Sequence, residues 1–294
     1  MAATEALSRQ VRVTLSLHGG ISGVPEHPQI PLAPCDIVRY LRAMPLRRTK
    51  PAKSESDHCD VISFGAHPDD VEVGTGGVLC KMADLGYSTG IVYLTEGEMG
   101  TGGNRAVRKR EADRAAAIMG ARILKRFNWG DTRLTDTYDQ RIAIARIIRR
   151  HRPRLVFAPH WDGFTGKRQS HPDHLATGRI VMNAANLATL AKLKTSHPPH
   201  RVGGIYHFFA PSGVNPSFVV DITDQFERWM AALSAHKSQF LNPKKSRDYM
   251  WSLETMARAA GARIGVRYGQ GFVAAEPLRI DDPMALLREP QKVP

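Results

Sequence analysis

The sequence VISFGAHPDDVEVGTGG at residues 61–77 indicates both an α/β fold and the place of a functional site. It opens with the apolar run VISF, which is typical of a buried strand, and then places His67, Asp69 and Asp70 within four residues. A helix-like segment with three glycines follows. Ligands and catalysts of α/β proteins collect beyond the carboxyl ends of parallel strands, next to helix N-termini, so we expect the functional site here.

Strand and helix patterns alternate along the chain. Apolar runs predict strands at residues 60–65, 89–94, 122–127, 155–158, 204–209, 218–220 and 271–275. Helical periodicity predicts helices at residues 71–85, 105–119, 138–150, 176–193, 223–240 and 247–260. The alternation predicts a Rossmann-like α/β fold in which helices flank a mostly parallel, doubly wound sheet. The first and fourth strands are expected to deliver their loops to one edge of it.

The first part of the chain differs in composition from the rest. Five prolines punctuate residues 25–45, and the basic, polar run LRRTKPAKSESD follows at residues 46–57. These features predict a poorly ordered N-terminal extension over residues 1–57 and a single domain over residues 58–294.

The composition of the 294 residues, 42% hydrophobic and 23% charged, is that of a soluble globular protein. There is no uninterrupted apolar run of about 18 residues, so no membrane span is predicted. The first residues lack the apolar core of a signal peptide, so we expect a cytoplasmic protein. None of the three cysteines forms a CxxC pair, which argues against a disulfide framework and a thiolate zinc site.

The formal net charge of the chain is +13. No basic motif interleaved with aromatic residues accompanies this charge, so we expect no nucleic-acid partner. We interpret the excess of lysine and arginine either as solvated helical faces or as a field that attracts an anionic small substrate.

A second polar cluster, SHPDH at residues 170–174, precedes a predicted helix. Imidazole and carboxylate are ligands that catalytic zinc takes, typically three at a time, with one position left for water. His171 and His174 are three residues apart at the start of a helix, so they can share a face. The simplest ligand set across the two clusters is His67, Asp70 and His174.

This ligand set leaves Asp69 and His171 unligated beside the metal. Because bound zinc lowers the pKa of water to about 7, a carboxylate beside it can take the proton of that water. A neighbouring histidine can stabilise an oxyanion or protonate a leaving amine. Asp173 can hydrogen-bond a neighbouring imidazole and fix its tautomer. The pattern therefore predicts Asp69, His171 and Asp173 as the catalytic residues.

The same residues have structural interpretations. Asp69 or Asp70 can cap the helix that follows, although capping does not exclude ligation. A single histidine after a strand is more often structural, but two His-Pro-Asp clusters, each between a predicted strand and a helix, favour a site. Gly74, Gly76 and Gly77 do not meet the GxGxxG pattern, so they fit close backbone packing better than a dinucleotide loop.

The motif AHPDD after the first strand, with HPDH at the start of a later helix, resembles the LmbE/PIG-L family of zinc-dependent N-deacetylases. The likeness covers residues 59–287 and includes TEGEMGT at 95–101, RKRE at 108–111, Asp131, AHKSQF at 235–240 and GVRYGQGF at 265–272. The last two segments are most similar to the bacillithiol-biosynthesis branch, which deacetylates N-acetylglucosaminyl-malate.

The resemblance implies hydrolysis of the acetamide of an N-acetylglucosamine-containing small molecule on a Rossmann-like α/β fold. It implies that three residues hold one Zn²⁺ ion: His67, Asp70 and His174. It implies Asp69 as general base and His171, tuned by Asp173, as the group that stabilises the oxyanion. It also implies three substrate contacts, for which loop capping or a solvated side chain is the alternative: Glu98, Arg108 and Asp131.

Two places depart from the family pattern. The family commonly reads DRHPDH, whereas Gln169 and Ser170 precede the second cluster here, with Lys167 or Arg168 as replacements for the arginine. Gln270 stands where close relatives often carry an acidic residue. Both departures leave the metal chemistry intact and bear on the aglycone.

The sequence therefore predicts a zinc-dependent N-deacetylase, most simply for N-acetylglucosaminyl-malate in bacillithiol biosynthesis, that forms a homo-oligomer. Another divalent metal can occupy such nitrogen and oxygen ligands. Three alternatives stay open: an amidase for thiol conjugates, a deacetylase of a different amino-sugar glycoside, and a nucleotide- or nucleic-acid-binding α/β protein in which both clusters are structural.

Overall fold

The computed structural model describes residues 57–163, 171–211, 213–242 and 248–287. Its strands are β1 (Val61–Gly65), β2 (Thr89–Tyr93), β3 (Arg122–Arg126), β4 (Leu155–Pro159), β5 (Gly204–Phe208), β6 (Phe218–Asp221) and β7 (Gly269–Ala274). Its helices are α1 (Asp70–Asp84), α2 (Arg105–Met119), α3 (Tyr138–His151), α4 (Pro172–Ala188), α5 (Phe226–Ala235), α6 (Lys237–Phe240) and α7 (Tyr249–Ala262), with 3₁₀ turns at Thr223–Gln225 and Pro283–Leu286. None of these helices is both long and apolar enough to cross a bilayer. Apart from Asp57, the predicted N-terminal extension lies outside the described residues.

The strand order β3-β2-β1-β4-β5-β7-β6 makes the sheet mostly parallel. Among these strands β7 alone runs opposite to the rest, antiparallel to β5 on one side and to β6 on the other. The chain order reverses between β1 and β4, which pair in register from Val61 with Leu155 to Ser63 with Phe157. Such a reversal opens a crevice beyond the carboxyl ends of the two strands. The predicted mostly parallel sheet, with adjacent first and fourth strands, is confirmed.

The sequence of β1 explains its central position. All five residues of the strand are buried, and their side chains alternate between the two faces of the sheet. Val61 belongs to an apolar core that includes residues of α1, α2 and α5, whereas Ile62 and Phe64 belong to a second core with residues of α3 and α4. The buried hydroxyl of Ser63 lies 2.9 Å from that of Thr75 in α1. Helices therefore cover both faces, as buried parallel strands require.

Glycines allow α1 to pack closely against the sheet and against α5. A Cβ atom on Gly74 would lie 2.1 Å from Cδ2 of Phe208 in β5, and one on Gly76 would lie 2.7 Å from Cδ1 of Trp229 in α5. Trp229 Nε1 also donates to the carbonyl oxygen of Glu72 at 2.7 Å. The glycines thus serve close helix packing behind the crevice, as the sequence predicts, and not a phosphate loop.

A buried arginine of α3 fixes the C-terminal end of α4. Arg149 is 1% exposed, and its guanidinium donates to the carbonyl oxygens of Ala188, Leu190 and Leu193 and to Oγ1 of Thr195 at 2.6–2.9 Å. A cation at this end satisfies free carbonyls and favours the helix dipole. The helix therefore ends at Ala188, whereas the sequence predicts its continuation to residue 193.

Two predicted helices also differ from the structure at other points. The helix predicted from residue 176 begins at Pro172, because His171 is its N-cap and proline suits the first turn. The helix predicted at residues 223–240 is a 3₁₀ turn followed by α5 and α6, because the backbone leaves the helical region at His236, with φ −81° and ψ 60°.

Replacing Gly74 by alanine tests the packing of α1. In a free helix this change stabilises by about 1 kcal/mol. Here the added methyl overlaps the ring of Phe208, so we expect the free energy of unfolding in urea to fall by about 1–3 kcal/mol. The smaller side chain of Phe208→Leu makes room for the methyl, so the cost of Gly74→Ala should shrink in that background. Strict additivity of the two changes would contradict the account.

Candidate active site and metal centre

The two polar clusters meet in a cavity of about 400 Å³ at the carboxyl ends of β1 and β4. It is lined by predicted site residues from both clusters, namely His67, Asp69, Asp70, His171 and His174. A larger groove of about 510 Å³ between β3 and α3 contains none of the predicted site residues. The crevice expected from the strand order is therefore the place where the predicted chemistry gathers.

The turn between β1 and α1 sets the position of the first cluster. The backbone N–H of His67 donates to Oδ2 of Asp70 at 2.8 Å, which closes the turn. Asp69 has φ 143°, a backbone conformation that is strained for a residue other than glycine. It is the N-cap residue of α1, but its side chain makes no capping hydrogen bond. The carboxylate of Asp69 instead faces the cavity.

The three predicted metal ligands have donor atoms that face one another. The carboxylate of Asp70 lies between two imidazoles, with Oδ2 at 3.3 Å from Nδ1 of His67 and Oδ1 at 3.0 Å from Nε2 of His174. Nitrogen atoms of His67, His171 and His174 lie within 4.8 Å of one another. Two or three imidazole nitrogens and one carboxylate at this spacing fit a single divalent ion such as Zn²⁺, whose ligands lie at about 2 Å.

The other nitrogen of His67 contacts two carboxylates. Nε2 lies 3.0 Å from Oδ1 of Asp131 and 3.3 Å from Oδ2 of Asp173. These carboxylates also accept backbone N–H groups, Asp131 from Met99 at 2.9 Å and Asp173 from Thr132 at 2.7 Å. The three side chains also form a candidate metal cluster. Because their atoms are engaged in hydrogen bonds, they fit better as groups that orient His67 and leave its Nδ1 for a metal.

The charges in this cluster depend on one another. Burial lowers the pKa of His67, but the charge of Asp70 and the hydrogen bonds to Asp131 and Asp173 outweigh burial and raise it to about 12. Burial raises the pKa of Asp70, but the charges of His174 and His67 outweigh burial and hold it well below its usual value. A metal that takes Nδ1 of His67 displaces a proton, so metal affinity should increase with pH.

The pKa of the neighbouring carboxyl group, Asp69, is shifted upward, in the opposite direction to that of Asp70. Burial raises the pKa of Asp69 to about 6, although the charge of Arg108 opposes this. Nη2 of Arg108 lies 3.1 Å from Oδ1 of Asp69. A carboxyl group with a pKa near neutrality can accept a proton and return it, which is what general acid–base catalysis requires.

The hydrogen bonding of His171 defines its tautomer. The backbone N–H of Asp173 donates to Nδ1 of His171 at 3.2 Å, so the neutral ring carries its proton on Nε2. Burial lowers the pKa of His171, and the charges of His67 and His174 add to this effect. The fully buried carboxylate of Asp173, predicted to tune His171, lies 3.3 Å from Nε2 of His67, and its charge opposes the fall in the pKa of His171.

The three predicted substrate contacts are engaged mainly with the protein. Arg108 lines the cavity, but it is 4% exposed and donates to the carbonyl oxygens of Gly97 at 2.6 Å and Pro68 at 2.8 Å. Oε1 of Glu98 accepts the backbone N–H of Asp131 at 3.0 Å. Both carboxylate oxygens of Asp131 are hydrogen-bonded to other parts of the protein. The geometry favours positioning roles for these residues over the predicted direct contacts.

Of the two departures from the family pattern, the structure describes the one at Gln270. Gln270 is buried, accepts from the backbone N–H of Val78 at 2.9 Å and donates to the carbonyl oxygen of Val73 at 3.3 Å. It therefore contacts α1 and bears on packing, whereas the sequence analysis relates this departure to the choice of aglycone. The other departure, at residues 167–170, lies outside the described residues.

Part of the cavity lining is not predicted from the sequence. Six further residues line the cavity: Met99, Gly100, Thr132, Gln239, Phe240 and Tyr249. The segment AHKSQF gave a signal through its family likeness, but the sequence does not show that this segment faces the metal cluster.

A buried polar group is also not predicted from the sequence. Oε1 of Glu72 accepts from the hydroxyl of Tyr93 at 2.6 Å and lies 3.0 Å from Nε2 of His236.

Comparison with known proteins agrees with this geometry. The family model for PIG-L, GlcNAc-PI de-N-acetylase, matches residues 62–185. The diacetylchitobiose deacetylase of Thermococcus kodakarensis is 32% identical over 227 residues, which cover 72% of this chain and 81% of that protein. A probable N-acetyl-alpha-D-glucosaminyl L-malate deacetylase 2 of Bacillus cereus is 28% identical over 193 residues, 61% of this chain and 83% of that protein.

A solved structure extends the likeness to the fold of most of the chain. The conserved protein from Thermus thermophilus superposes with a TM-score of 0.68 at 35% identity and covers 79% of this chain and 100% of that one. Together with the identity to the diacetylchitobiose deacetylase over most of both chains, this shows that the chain belongs to the PIG-L/LmbE family of de-N-acetylases.

Proposed function

We propose that this chain is a metal-dependent hydrolase that removes the acetyl group from an N-acetylglucosamine-containing small molecule. The observation that carries the proposal is the presence, in one cavity, of a nitrogen and carboxylate cluster and of Asp69, a separate carboxyl group with a pKa of about 6. The identity to de-N-acetylases over most of the chain supports it.

Metal binding is assigned to the first set of side chains. His67, Asp70 and His174 would hold the ion, which when bound supplies Lewis-acid activation of a water and of the acetamide carbonyl. Asp131 and Asp173 accept from Nε2 of His67 and hold its ring so that Nδ1 faces Asp70.

Proton transfer is assigned to Asp69. Its carboxylate, oriented by Arg108 at 3.1 Å, accepts a proton from the water that attacks the carbonyl carbon. The Nε2–H group of His171 donates to the carbonyl oxygen as negative charge develops there. Protonated Asp69 then returns the proton to the amide nitrogen as the C–N bond breaks. The products are acetate and the free amino sugar.

Two substrates are candidates within this chemistry. N-acetylglucosaminyl-malate is supported by the likeness of two C-terminal segments to the bacillithiol branch, although Gln270 within one of them contacts α1 and does not line the cavity. N,N′-diacetylchitobiose is supported by the identity of 32% to a diacetylchitobiose deacetylase. An amidase for thiol conjugates would use the same groups.

A panel of N-acetylglucosaminides that differ only in the aglycone distinguishes these substrates. We expect the zinc-loaded protein to release acetate from at least one of them, and a chelator to abolish this release. Preference for the malate glycoside, for diacetylchitobiose or for an acylated thiol conjugate then assigns the substrate. No acetate release from any member would contradict the proposed function.

The variant Asp69→Asn tests the general base. It keeps the shape of the side chain but removes its ability to accept a proton, so we expect turnover to fall by about 10²–10⁴-fold. Zinc content, measured by atomic absorption, should stay that of the wild-type protein. As a matched control, Asp139→Asn changes an exposed aspartate of α3 and should leave turnover unchanged. Full activity of Asp69→Asn would refute the assignment.

A further inference from the structure

The catalytic cavity has an aromatic wall that the proposed mechanism does not use. Phe240 at the end of α6 and Tyr249 at the start of α7 line the same cavity as His67 and Asp69. Their ring centroids are 6.2 Å apart and the ring planes meet at 64°. Both residues are half-buried, so part of each side chain packs against the protein. The cavity is thus lined both by the polar reacting groups and by two aromatic rings.

A carboxylate of α2 anchors this wall. Helix α6 has only four residues, too few to hold its own position. Oε1 of Glu111 accepts the backbone N–H of Ser238 at 2.9 Å, and Oε2 accepts its hydroxyl at 2.6 Å. Nε2 of Gln239 donates to the carbonyl oxygen of Gly102 at 2.6 Å. The residues just before Phe240 are therefore tied both to α2 and to the loop that precedes it.

The close approach of that loop requires its glycines. A Cβ atom on Gly102 would lie 2.1 Å from the carbonyl oxygen of Ser238, and one on Gly103 would lie 2.8 Å from its Oγ. Gly103 also has φ 71°, a conformation that favours glycine. The close contact between this loop and α6 therefore requires glycine at residues 102 and 103.

The residue before α6 has a second anchor. Nε2 of His236 lies 3.0 Å from Oε1 of Glu72 in α1, and both side chains are fully buried. Helix α1 follows Asp69, and helix α2 carries Arg108, which contacts Asp69. The two helices that position the catalytic carboxylate therefore also position the aromatic wall.

An aromatic wall of this kind suits a pyranose ring. A pyranose has faces made largely of C–H groups and an edge of hydroxyl groups, whereas an acyclic amide has no comparable flat apolar face. Tyrosine and phenylalanine offer apolar surface with a polar edge at the tyrosine hydroxyl. A cavity of about 400 Å³ is also within the range of small-molecule sites.

We propose that Phe240 and Tyr249 form the subsite that receives the apolar face of the amino-sugar ring, and that Glu111 is the positioning residue that holds this subsite in the cavity that Asp69 lines. The inference rests on the proposed deacetylase function and names the residues that would hold the sugar ring of its substrate. Acyclic acetamides, including open-chain thiol conjugates, lack the group that this wall contacts.

Binding of N-acetylglucosamine to the zinc-loaded protein, measured by isothermal titration calorimetry, tests the subsite without turnover. We expect Phe240→Leu and Tyr249→Leu each to weaken binding by about threefold to tenfold. Tyr138→Leu is the matched control, because Tyr138 also begins a helix, is 62% exposed and does not line the cavity. Equal binding by the two cavity variants and the control, or no measurable binding by the wild type, would overturn the subsite.

The positioning role of Glu111 is tested by steady-state kinetics of acetate release from N,N′-diacetylchitobiose. Glu111→Gln loses one acceptor, so we expect KM to increase about fivefold while kcat stays within about twofold, since the metal and Asp69 are untouched. Ser238→Ala removes the hydroxyl that Oε2 of Glu111 accepts and should show an increase of similar size, which keeps the test valid where Glu111→Gln fails to fold. Glu227→Gln, an exposed site in α5, is the matched control.

The outcomes separate this inference from the proposed function. A wild-type protein that binds N-acetylglucosamine through Phe240 and Tyr249 but releases no acetate from any glycoside refutes the hydrolase and retains the subsite. Acetate release with unchanged KM in both Glu111→Gln and Ser238→Ala refutes the positioning role of Glu111. A fall in kcat at constant KM would also refute it.

Discussion

The hydrogen bonds between Nε2 of His67 and the carboxylates of Asp131 and Asp173 are the constraint on which the site depends. They fix the ring so that Nδ1 faces Asp70. They also join the turn after β1, the loop after β3 and the first turn of α4. Because Asp131 accepts from Met99, the loop after β2 enters the same network. One buried imidazole thus organises the ends of several elements around a single cavity.

The adjacent carboxylates Asp69 and Asp70 show how environment assigns role. Asp70 is flanked by His67 and His174, whose charges hold its pKa well below its usual value, as suits a metal ligand. Asp69 has a pKa raised by burial to about 6 and a strained backbone with φ 143°. Strain of this kind persists where the surrounding structure determines it, and it clusters at active sites. Family membership in turn favours an enzyme over a purely structural reading of the two clusters.

Much of the fold and of the site follows from sequence because both rest on local patterns. The apolar runs and helical periods located the strands and helices, and HPDD and HPDH located the residues that the structure brings into one cavity. Contacts distant in sequence did not follow. Helix α4 ends at Ala188, before the predicted residue 193, where Arg149 caps it. The orientation of Asp173 toward His67 depends on the packing of α4 against the loop after β3. Predicting the aromatic wall at Phe240 requires knowing where Glu111 lies in the fold, and no sequence periodicity gives that position.

The orientation of His67 by two carboxylates is tested by the zinc affinity of Asp131→Asn, measured by competition with a chromophoric chelator. Loss of such an outer carboxylate typically weakens metal binding by about 10–100-fold, and that is the result we expect. Asp139→Asn, in an exposed turn of α3, should bind zinc as tightly as the wild-type protein. Equal zinc affinity of Asp131→Asn and the wild type would contradict the account.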